Sequence, residues 1–577
     1  MTQQISRGEE PTVGPRTPAG DELVAVRGDR PHAWARAMTQ LAGTSRWSGW
    51  AAAVGVAVLA FLLRLWHLST PRQFQFDETY YAKDAWSMLR FGYVRDYVDD
   101  ANTRILDGSV SDLWADTPSM IVHPEVGKWL IALGEQAFGM TPFGWRISAA
   151  VAGSLMVLVM VRLALRLTGS TLLAVFAGLL MTFDGLHFVM SRLALLDIFL
   201  ALFVLCGVHC LVADRQWMRR RLATLLPGPV TSGSGPVRAL LVRPWLLAGG
   251  VCWGLAIGTK WTGLYLLAVF GVVVWLWSAG ARRSFGVRLA WLRSAVVDGI
   301  PAFVQLVVVA AVVYVASWGG WLAHADQYEE HLSATQYTRY AGTGECKDDA
   351  YVPDTVDGKQ WPTATEPDAS GVGELWQSLR SLASYHHDVY TFHTHFLNCA
   401  THTYASDPLG WPLLNRPVGI AAETDIQPGQ QGCAAPQGSD CLRQVIALGT
   451  PVLWWGGCVA LVAALVLWVL GRDWRFGVAV VGALASWLPW VLYDDRPTFS
   501  FYTIVMLPFV VLALTLVAGK LIGPGSGTSA RRTTGVVVAG TFLVLVMVNF
   551  AWFWPVYTNE LLTHDEWLDR IWFDRWI

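Results

Sequence analysis

Eleven mainly apolar stretches of about twenty residues dominate this 577-residue chain, near 50–68, 145–165, 170–186, 194–213, 244–259, 262–279, 296–318, 446–470, 476–493, 499–519 and 536–554. A helix of about that length crosses the hydrocarbon core of a bilayer, and a backbone in lipid must satisfy its own hydrogen bonds, as a helix does. With 53% of residues hydrophobic and 15% charged, the expected class is an all-α polytopic membrane protein with about eleven transmembrane helices. The 31 tryptophans suit many membrane–water crossings. A net charge of −2, with arginines in short clusters rather than along one face, gives no support to a nucleic-acid partner.

Residues 1–45 are rich in Gly, Pro, Arg, Thr and Glu and read as a disordered tail. The polar lead is too long for a cleavable signal peptide, so the first apolar run is expected to remain as a helix. Arginines gather in "RQWMRRRL" with Arg238 and Arg243 after the fourth run, in "ARRSFGVRLAWLR" after the sixth, in "GRDWR" after the eighth, and in "GK" with "ARR" after the tenth. The positive-inside rule puts these loops and the N-terminal tail in the cytoplasm and the C-terminus outside.

The chain then divides into the tail 1–45, an N-terminal transmembrane catalytic region 46–318 carrying spans one to seven, an external segment 319–445, and a C-terminal four-helix transmembrane region 446–577. A second external segment, 69–143, joins spans one and two. The final "HDEWLDRIWFDRWI" is expected to be an interfacial helix with its tryptophans toward lipid headgroups. Four cysteines, Cys346, Cys399, Cys433 and Cys441, fall in the segment 319–445, where disulfides persist. Three pairings are possible, the local Cys433–Cys441 bridge being the simplest. Cys206, Cys210, Cys252 and Cys458 lie in apolar runs and read as small packing residues.

Ionisable residues are rare in or beside spans because they cost about 2.5–3.5 kcal/mol each when central. Here Asp77, Glu78, Arg146, Asp184, Arg192, Asp197, Lys260, Asp494, Asp495 and Arg496 all fall at the expected outer face, which points to one mixed-charge site. Adjacent residues on a helix do not face each other, so Asp77 and Glu78 are expected to split roles, one doing chemistry and the other holding a substrate or a basic partner. Phe74, Phe76, Tyr80 and Tyr81 flank them; they read either as groups that reduce carboxylate solvation or as interface anchors. In "IVHPEVGKW", His123 and Lys128 flank a Pro–Gly turn, and Lys128 with Arg146 makes two cations suited to a lipid phosphate. The run "HTHFLNCATHTY" holds His393, His395, His402 and Cys399; it reads as packing of the external segment against the site rather than as a metal centre.

Taken together, "FDETYYAKDAW", "HPEVGKW" with "FGWRISAAVAGS", "MTFDGLHFVMSRLALLDIFL", "GLAIGTKWTGLY", "SDPLGWPLLNRPV" and "RPTFSFYTIVMLPF" resemble the protein O-mannosyltransferases in their actinobacterial form. The resemblance runs from about residue 50 to the end and implies a GT-C glycosyltransferase fold. It also implies inverting transfer of mannose from polyprenyl-phosphate mannose to Ser or Thr hydroxyls of secreted proteins, on the outer face of the cytoplasmic membrane. In such enzymes the aspartate of the Asp-Glu motif is the base, here Asp77; Glu78 would help place the acceptor. Arg146 looks like the family's arginine at the start of the second span. With Lys128 and His123 it would serve the donor phosphate, while Arg192 and Lys260 would serve sugar hydroxyls or hold Asp197. The implied partners are the lipid-linked donor, membrane lipids, and Ser/Thr-rich proteins leaving the secretion translocon, with no cofactor and no metal.

Two departures stand out. The family commonly reads His-Pro-Pro-Leu-Gly-Lys where this chain has His123-Pro124-Glu125-Val126-Gly127-Lys128, and segment 319–445 is too short for the β-trefoil domain of eukaryotic members. A transferase moving another sugar from a polyprenyl phosphate fits the same residues. A secondary transporter would instead place its charges near the midplane of two repeated halves.

Overall fold

The computed structural model describes residues 46–333, 361–394, 397, 400–493, 496–523 and 529–577. The expected tail 1–45, and Cys346, His395, Cys399, Asp494 and Asp495, lie outside the described residues. Among the described residues, nine helices are long and apolar enough to cross a membrane: Trp47–Leu65, Pro142–Thr168, Leu196–Leu225, Arg238–Ile257, Gly263–Ser284, Ala290–Ser317, Pro451–Val469, Trp474–Leu492 and Ala530–Thr558. Shorter apolar helices, Thr171–Thr182 and Leu507–Ile522, occupy the two remaining expected positions. Both are largely enclosed by neighbours, so protein rather than lipid surrounds much of their backbone.

Sequence chemistry explains the elements that carry the site. Helix Pro142–Thr168 starts where Thr141 Oγ1 accepts from the Gly144 amide at 3.1 Å and Pro142 occupies its first turn. A threonine cap and a proline that needs no amide partner are favoured there, and they place Arg146 one turn in. Helix Glu78–Phe91 ends at Gly92, in the left-handed region at φ 84°, where a side chain would be strained. Helix Val126–Phe138 approaches the bundle so closely that a Cβ on Gly127 would stand 2.6 Å from Leu196, which accounts for the glycine of "HPEVGK".

The chain is mostly helical rather than all-α. Arg95–Tyr97 pairs with Trp114–Pro118, and a three-stranded antiparallel sheet joins Val418–Ile426, Cys441–Ala447 and Leu561–Thr563. This sheet corrects the expected interfacial helix at the C-terminus. The tail enters the sheet, turns through the short helix His564–Leu568 and packs inward. Trp567 donates to Gln444 at 2.5 Å and Trp576 to the Leu414 carbonyl at 2.8 Å, both rings buried; only Trp572 of the three tail tryptophans is exposed.

At the opposite end of the bundle, two arginines of the expected basic loops are buried against carboxylates. Arg243 pairs with Asp214, and Arg282 with Asp298 at 2.7 Å. The sequence assigned both only to basic cytoplasmic loops; their carboxylate partners lie 29 and 16 residues away.

Cys433 and Cys441 form a disulfide beside the strand that carries the tail. It closes a loop of 8 residues, so replacing both cysteines with serine is expected to cost about 2–3 kcal/mol. Thermal unfolding of the detergent-solubilised protein, with and without reductant, measures the loss.

Candidate active site

Two adjacent carboxylates meet opposite fates at the start of helix Glu78–Phe91. Glu78 is fully buried. Its Oε1 accepts from Arg146 Nε at 2.8 Å and the Ala194 amide at 2.9 Å; its Oε2 accepts from Arg146 at 2.7 Å and the Gln75 amide at 3.0 Å. Both oxygens are therefore fully used. Arg146 spends its remaining N–H groups on the carbonyls of Leu68 (3.3 Å), Pro71 (2.7 Å) and Gln73 (3.0 Å). Its five donors are all on protein acceptors, leaving none for a phosphate. Glu78 thus holds a basic partner, one of the two roles expected for the second carboxylate, in a closed ion pair that ties the first loop, the second span and the segment before Leu196 together.

Asp77 is the opposite case. It occupies the N-cap position but makes no capping hydrogen bond, although capping is the usual work of an aspartate there. Instead Tyr81 donates to its Oδ2 at 3.2 Å, and the residue stays partly open to solvent. Burial raises its pKa above the usual carboxylate value; Lys260 pulls it back, Asp197 pushes it up, and Tyr81 and His402 favour the charged form. Phe76, just before it, holds a left-handed backbone at φ 50°, a conformation a bulky side chain adopts only when its surroundings impose it. Its ring is edge-on to His402, Phe499 and Phe501 at 5.3–5.6 Å, so packing from the second half of the chain aims the carboxylate.

Cations and imidazoles complete the site. Lys260 pairs with Asp197 at 2.7 Å, the holding role expected of one of two basic residues. Arg192, the other, donates instead to the carbonyls of Trp66 (2.8 Å), His67 (3.0 Å) and Tyr557 (3.3 Å). Lys128 is buried against Asp84 at 2.9 Å, a partner one turn beyond Tyr81 that sequence reading passed over. Asp184 is also structural: it caps a short helix and accepts from the Thr450 amide and the Trp454 indole.

His123 stacks on His393 at 5.5 Å and lies 6.2 Å from the Tyr81 ring. Burial, with Lys260 and His393 next, pushes its pKa well below the usual histidine value, so its ring is neutral at neutral pH. Arg496 contacts His393 at only 3.3 and 3.4 Å, and its buried Nε has no partner. Like Arg192, whose buried Nε also has no partner, Arg496 keeps an unspent donor; the sequence placed it, as the first residue of "RPTFSFY", only among the charges of the outer face. Glu125, where the family motif commonly has proline, is buried with its pKa pushed up to about 7, Lys128 opposing the shift. Among the described residues, no group of three or more His, Cys, Asp or Glu is placed to hold a metal.

Comparison with known proteins shows the family. The family model for dolichyl-phosphate-mannose-protein mannosyltransferase matches residues 54–318, and the model for the C-terminal four-helix region of protein O-mannosyltransferases matches 378–576. A polyprenol-phosphate-mannose–protein mannosyltransferase of Mycolicibacterium smegmatis is 35% identical over 92% of this chain and 93% of its own. One from Corynebacterium glutamicum is 32% identical over 90% and 92%. In three dimensions, a chain of the S. cerevisiae protein O-mannosyltransferase Pmt1–Pmt2 complex bound to the sugar donor superposes with a TM-score of 0.62 at 13% identity, over 96% of this chain and 94% of that one. This likeness is one of fold, the GT-C arrangement the motifs implied.

Because the Glu78–Arg146 pair is enclosed on all sides, Arg146→Ala leaves an uncompensated buried carboxylate and is expected to destabilise the protein by about 3–5 kcal/mol. Glu78→Gln combined with Arg146→Met removes both charges and should recover part of that loss in a detergent melting curve.

Proposed function

The chain belongs to the dolichyl-phosphate-mannose-protein mannosyltransferase family, and from that premise we propose that it transfers mannose from polyprenyl-phosphate mannose to Ser or Thr hydroxyls of secreted proteins. The reaction takes place at the outer face of the cytoplasmic membrane, and Asp77 is the general base. The observation that carries this assignment is the contrast between the two neighbours. Glu78 has every acceptor site filled, whereas Asp77 is partly open and held by a single tyrosine.

A Ser or Thr hydroxyl is a poor nucleophile until a carboxylate within hydrogen-bond reach accepts its proton. As the hydroxyl oxygen bonds to the anomeric carbon, the bond from that carbon to phosphate oxygen breaks on the opposite face, which inverts the centre. The proton passes to Asp77, and the polyprenyl phosphate leaves as an anion. No second carboxylic acid is required, unlike the hydrolysis of a glycoside with an alcohol leaving group.

Arg496 and Lys260 supply the positive charge for the phosphate, preorganised before the reaction; guanidinium is the better-shaped partner for phosphate oxygens. His123, neutral and turned toward the same group of cations, accepts or donates a hydrogen bond to the donor. Arg146, Glu78 and Lys128 hold the frame. Acceptor proteins reach the site from the aqueous side as they leave the translocon.

Purified enzyme, polyprenyl-phosphate mannose and a Ser/Thr-rich peptide test the assignment. Asp77→Asn is expected to lower turnover by about 10²–10⁴-fold with donor binding retained; near-normal turnover would move the base elsewhere. Arg496→Ala should raise the donor KM by about 10- to 100-fold, the worth of a charged hydrogen bond. Polyprenyl-phosphate arabinose in the same assay distinguishes a transferase for another sugar.

The pH dependence has a definite sign. The base works deprotonated, and its pKa is raised, so activity falls on the acid side at a pH above that of an ordinary aspartate. Removing the lowering influence with Lys260→Met should move that limb to higher pH, and removing the raising one with Asp197→Asn should move it lower. Initial rates between about pH 4 and 9, bracketing carboxylate and imidazole titration, give both shifts.

A further inference from the structure

The span Pro142–Thr168 has Arg146 at the Asp77 end and two further arginines, Arg162 and Arg166, toward its other end, about 24 and 30 Å along the helix. Neighbouring basic residues at that end have carboxylates of their own: Arg243 has Asp214, Arg282 has Asp298, and Arg475 has Asp473 at 2.6 Å. Among the described residues Arg162 and Arg166 have none, and the charges that act on Arg166 are the guanidiniums of Arg162 and Arg220. The protein thus gathers positive charge at this point without supplying its counter-charge.

Arg162 and Arg166 stand at i and i+4, on one face of the helix, where like charges repel. That face continues the exposed Val151 and Leu155 of the same span, so it is turned toward lipid. Among the described residues Arg162 makes no hydrogen bond; its guanidinium lies over the exposed ring of Trp50 at 4.1 Å. Trp50 heads a stripe on the first span formed by Val54, Val58 and Leu62, exposed by 47%, 49% and 60%. A Cβ on Gly49 would stand 2.6 Å from Leu165 and 3.3 Å from Arg162 Nη1, so the two spans touch here and hold Arg162 against that stripe. Arg166 is oriented from the other side: Nε donates to His209 Nε2 at 3.1 Å and Nη1 to Gln216 at 3.0 Å, with the guanidinium 5.4 Å from the Trp245 ring. A guanidinium cannot accept, so His209 Nε2 does, and its ring is neutral. The imidazole therefore aims Arg166 without cancelling its charge.

We propose that Arg162 and Arg166 bind the headgroup phosphate of an anionic phospholipid in the leaflet opposite the Asp77 site, its acyl chains lying along Val54, Val58 and Leu62. Guanidinium presents paired donors that match phosphate oxygens, and Arg162 has all of its donors to give. The rings of Trp50 and Trp245 flank the two cations as tryptophans do at headgroup level, and each ring also attracts the guanidinium it faces. A lipid with net negative charge relieves the repulsion between the arginines. A zwitterionic lipid has the same phosphate but carries its own cation, and free phosphate lacks the chains that the apolar stripe receives. The lipid would tie the first two spans together at the end remote from the Glu78–Arg146 pair. The site does not depend on which sugar or acceptor the protein uses.

Native mass spectrometry and thermal unfolding of the full chain, delipidated in detergent, test the proposal with phosphatidylglycerol, phosphatidylcholine or inorganic phosphate added at equal concentration. Phosphatidylglycerol is expected to be retained in preference to phosphatidylcholine and to raise the melting temperature. Arg162→Gln should weaken that binding by about 10- to 100-fold, the worth of a charged hydrogen bond. Because Arg162 makes no hydrogen bond to the described residues, the variant should melt like wild type without lipid and lose only the gain on adding it. Arg288→Gln removes an exposed arginine at the same end and should leave binding unchanged. Equal weakening by the two variants would overturn the proposal in favour of diffuse attraction to the basic face. Equal retention of the two lipids, or the same stabilisation by inorganic phosphate alone, would overturn it as well.

Discussion

The site depends on one desolvated ion pair, Glu78 with Arg146. Both are fully buried, where separating the charges or removing either one is costly. Together they collect five backbone groups, the carbonyls of Leu68, Pro71 and Gln73 and the amides of Gln75 and Ala194. A buried pair of this kind adds little net stability compared with apolar residues, but loss of one member is severely penalised. Its value here is geometric: it fixes where helix Glu78–Phe91 begins, and hence where the carboxylate one residue earlier points.

That arrangement explains why two acids stand side by side. Residues i and i+1 diverge by about 100° around a helix, so Glu78 turns into the protein while Asp77 turns toward the open site. A lone aspartate at that position would have the option of capping its own helix. Phe76, held in a left-handed conformation by Phe499, Phe501 and His402, and Tyr81, one turn on, remove that option. Residues from both halves of the chain thus restrict one side chain, the second half through packing and Arg496.

Much of this was legible in the sequence, and the omissions have physical reasons. Apolar runs announce spans because lipid imposes a length, and charges at one face announce a site because lipid penalises them. The Cys433–Cys441 bridge followed from local spacing, whereas the Lys260–Asp197 pair was one of the alternatives that the family resemblance left open. The fate of Arg146 did not, because residue type reveals a cation but not how many carbonyls turn toward it. Asp84 was hidden as one polar residue of an amphipathic helix, although it neutralises Lys128. The C-terminal tail misled for a similar reason: its alternation of tryptophans and charges fits a membrane surface, but equally a segment whose rings fill gaps beside a short sheet. His393 and Arg496 come together across 103 residues, beyond any local pattern.

The electrostatics around Asp77 suit a base whose strength changes during the proposed reaction. Before the donor arrives, Lys260 lies near two carboxylates, Asp77 and Asp197, and the cost of burying Asp77 is only partly offset. A lipid-linked phosphate entering beside Lys260 and Arg496 brings negative charge into the same poorly solvated space, and unlike charges at a few ångströms attract strongly there. Lys260 is then shared, its hold on the Asp77 carboxylate weakens, and proton affinity rises when an acceptor hydroxyl can use it. As the bond to the sugar breaks, the phosphate gains further charge, which favours the protonated form of Asp77 at the moment it forms. Once the polyprenyl phosphate leaves, the cation is restored to the carboxylates and the proton is released. Donor binding and base strength are in this way coupled through one lysine, which places that residue at the centre of the cycle without requiring it to touch the acceptor.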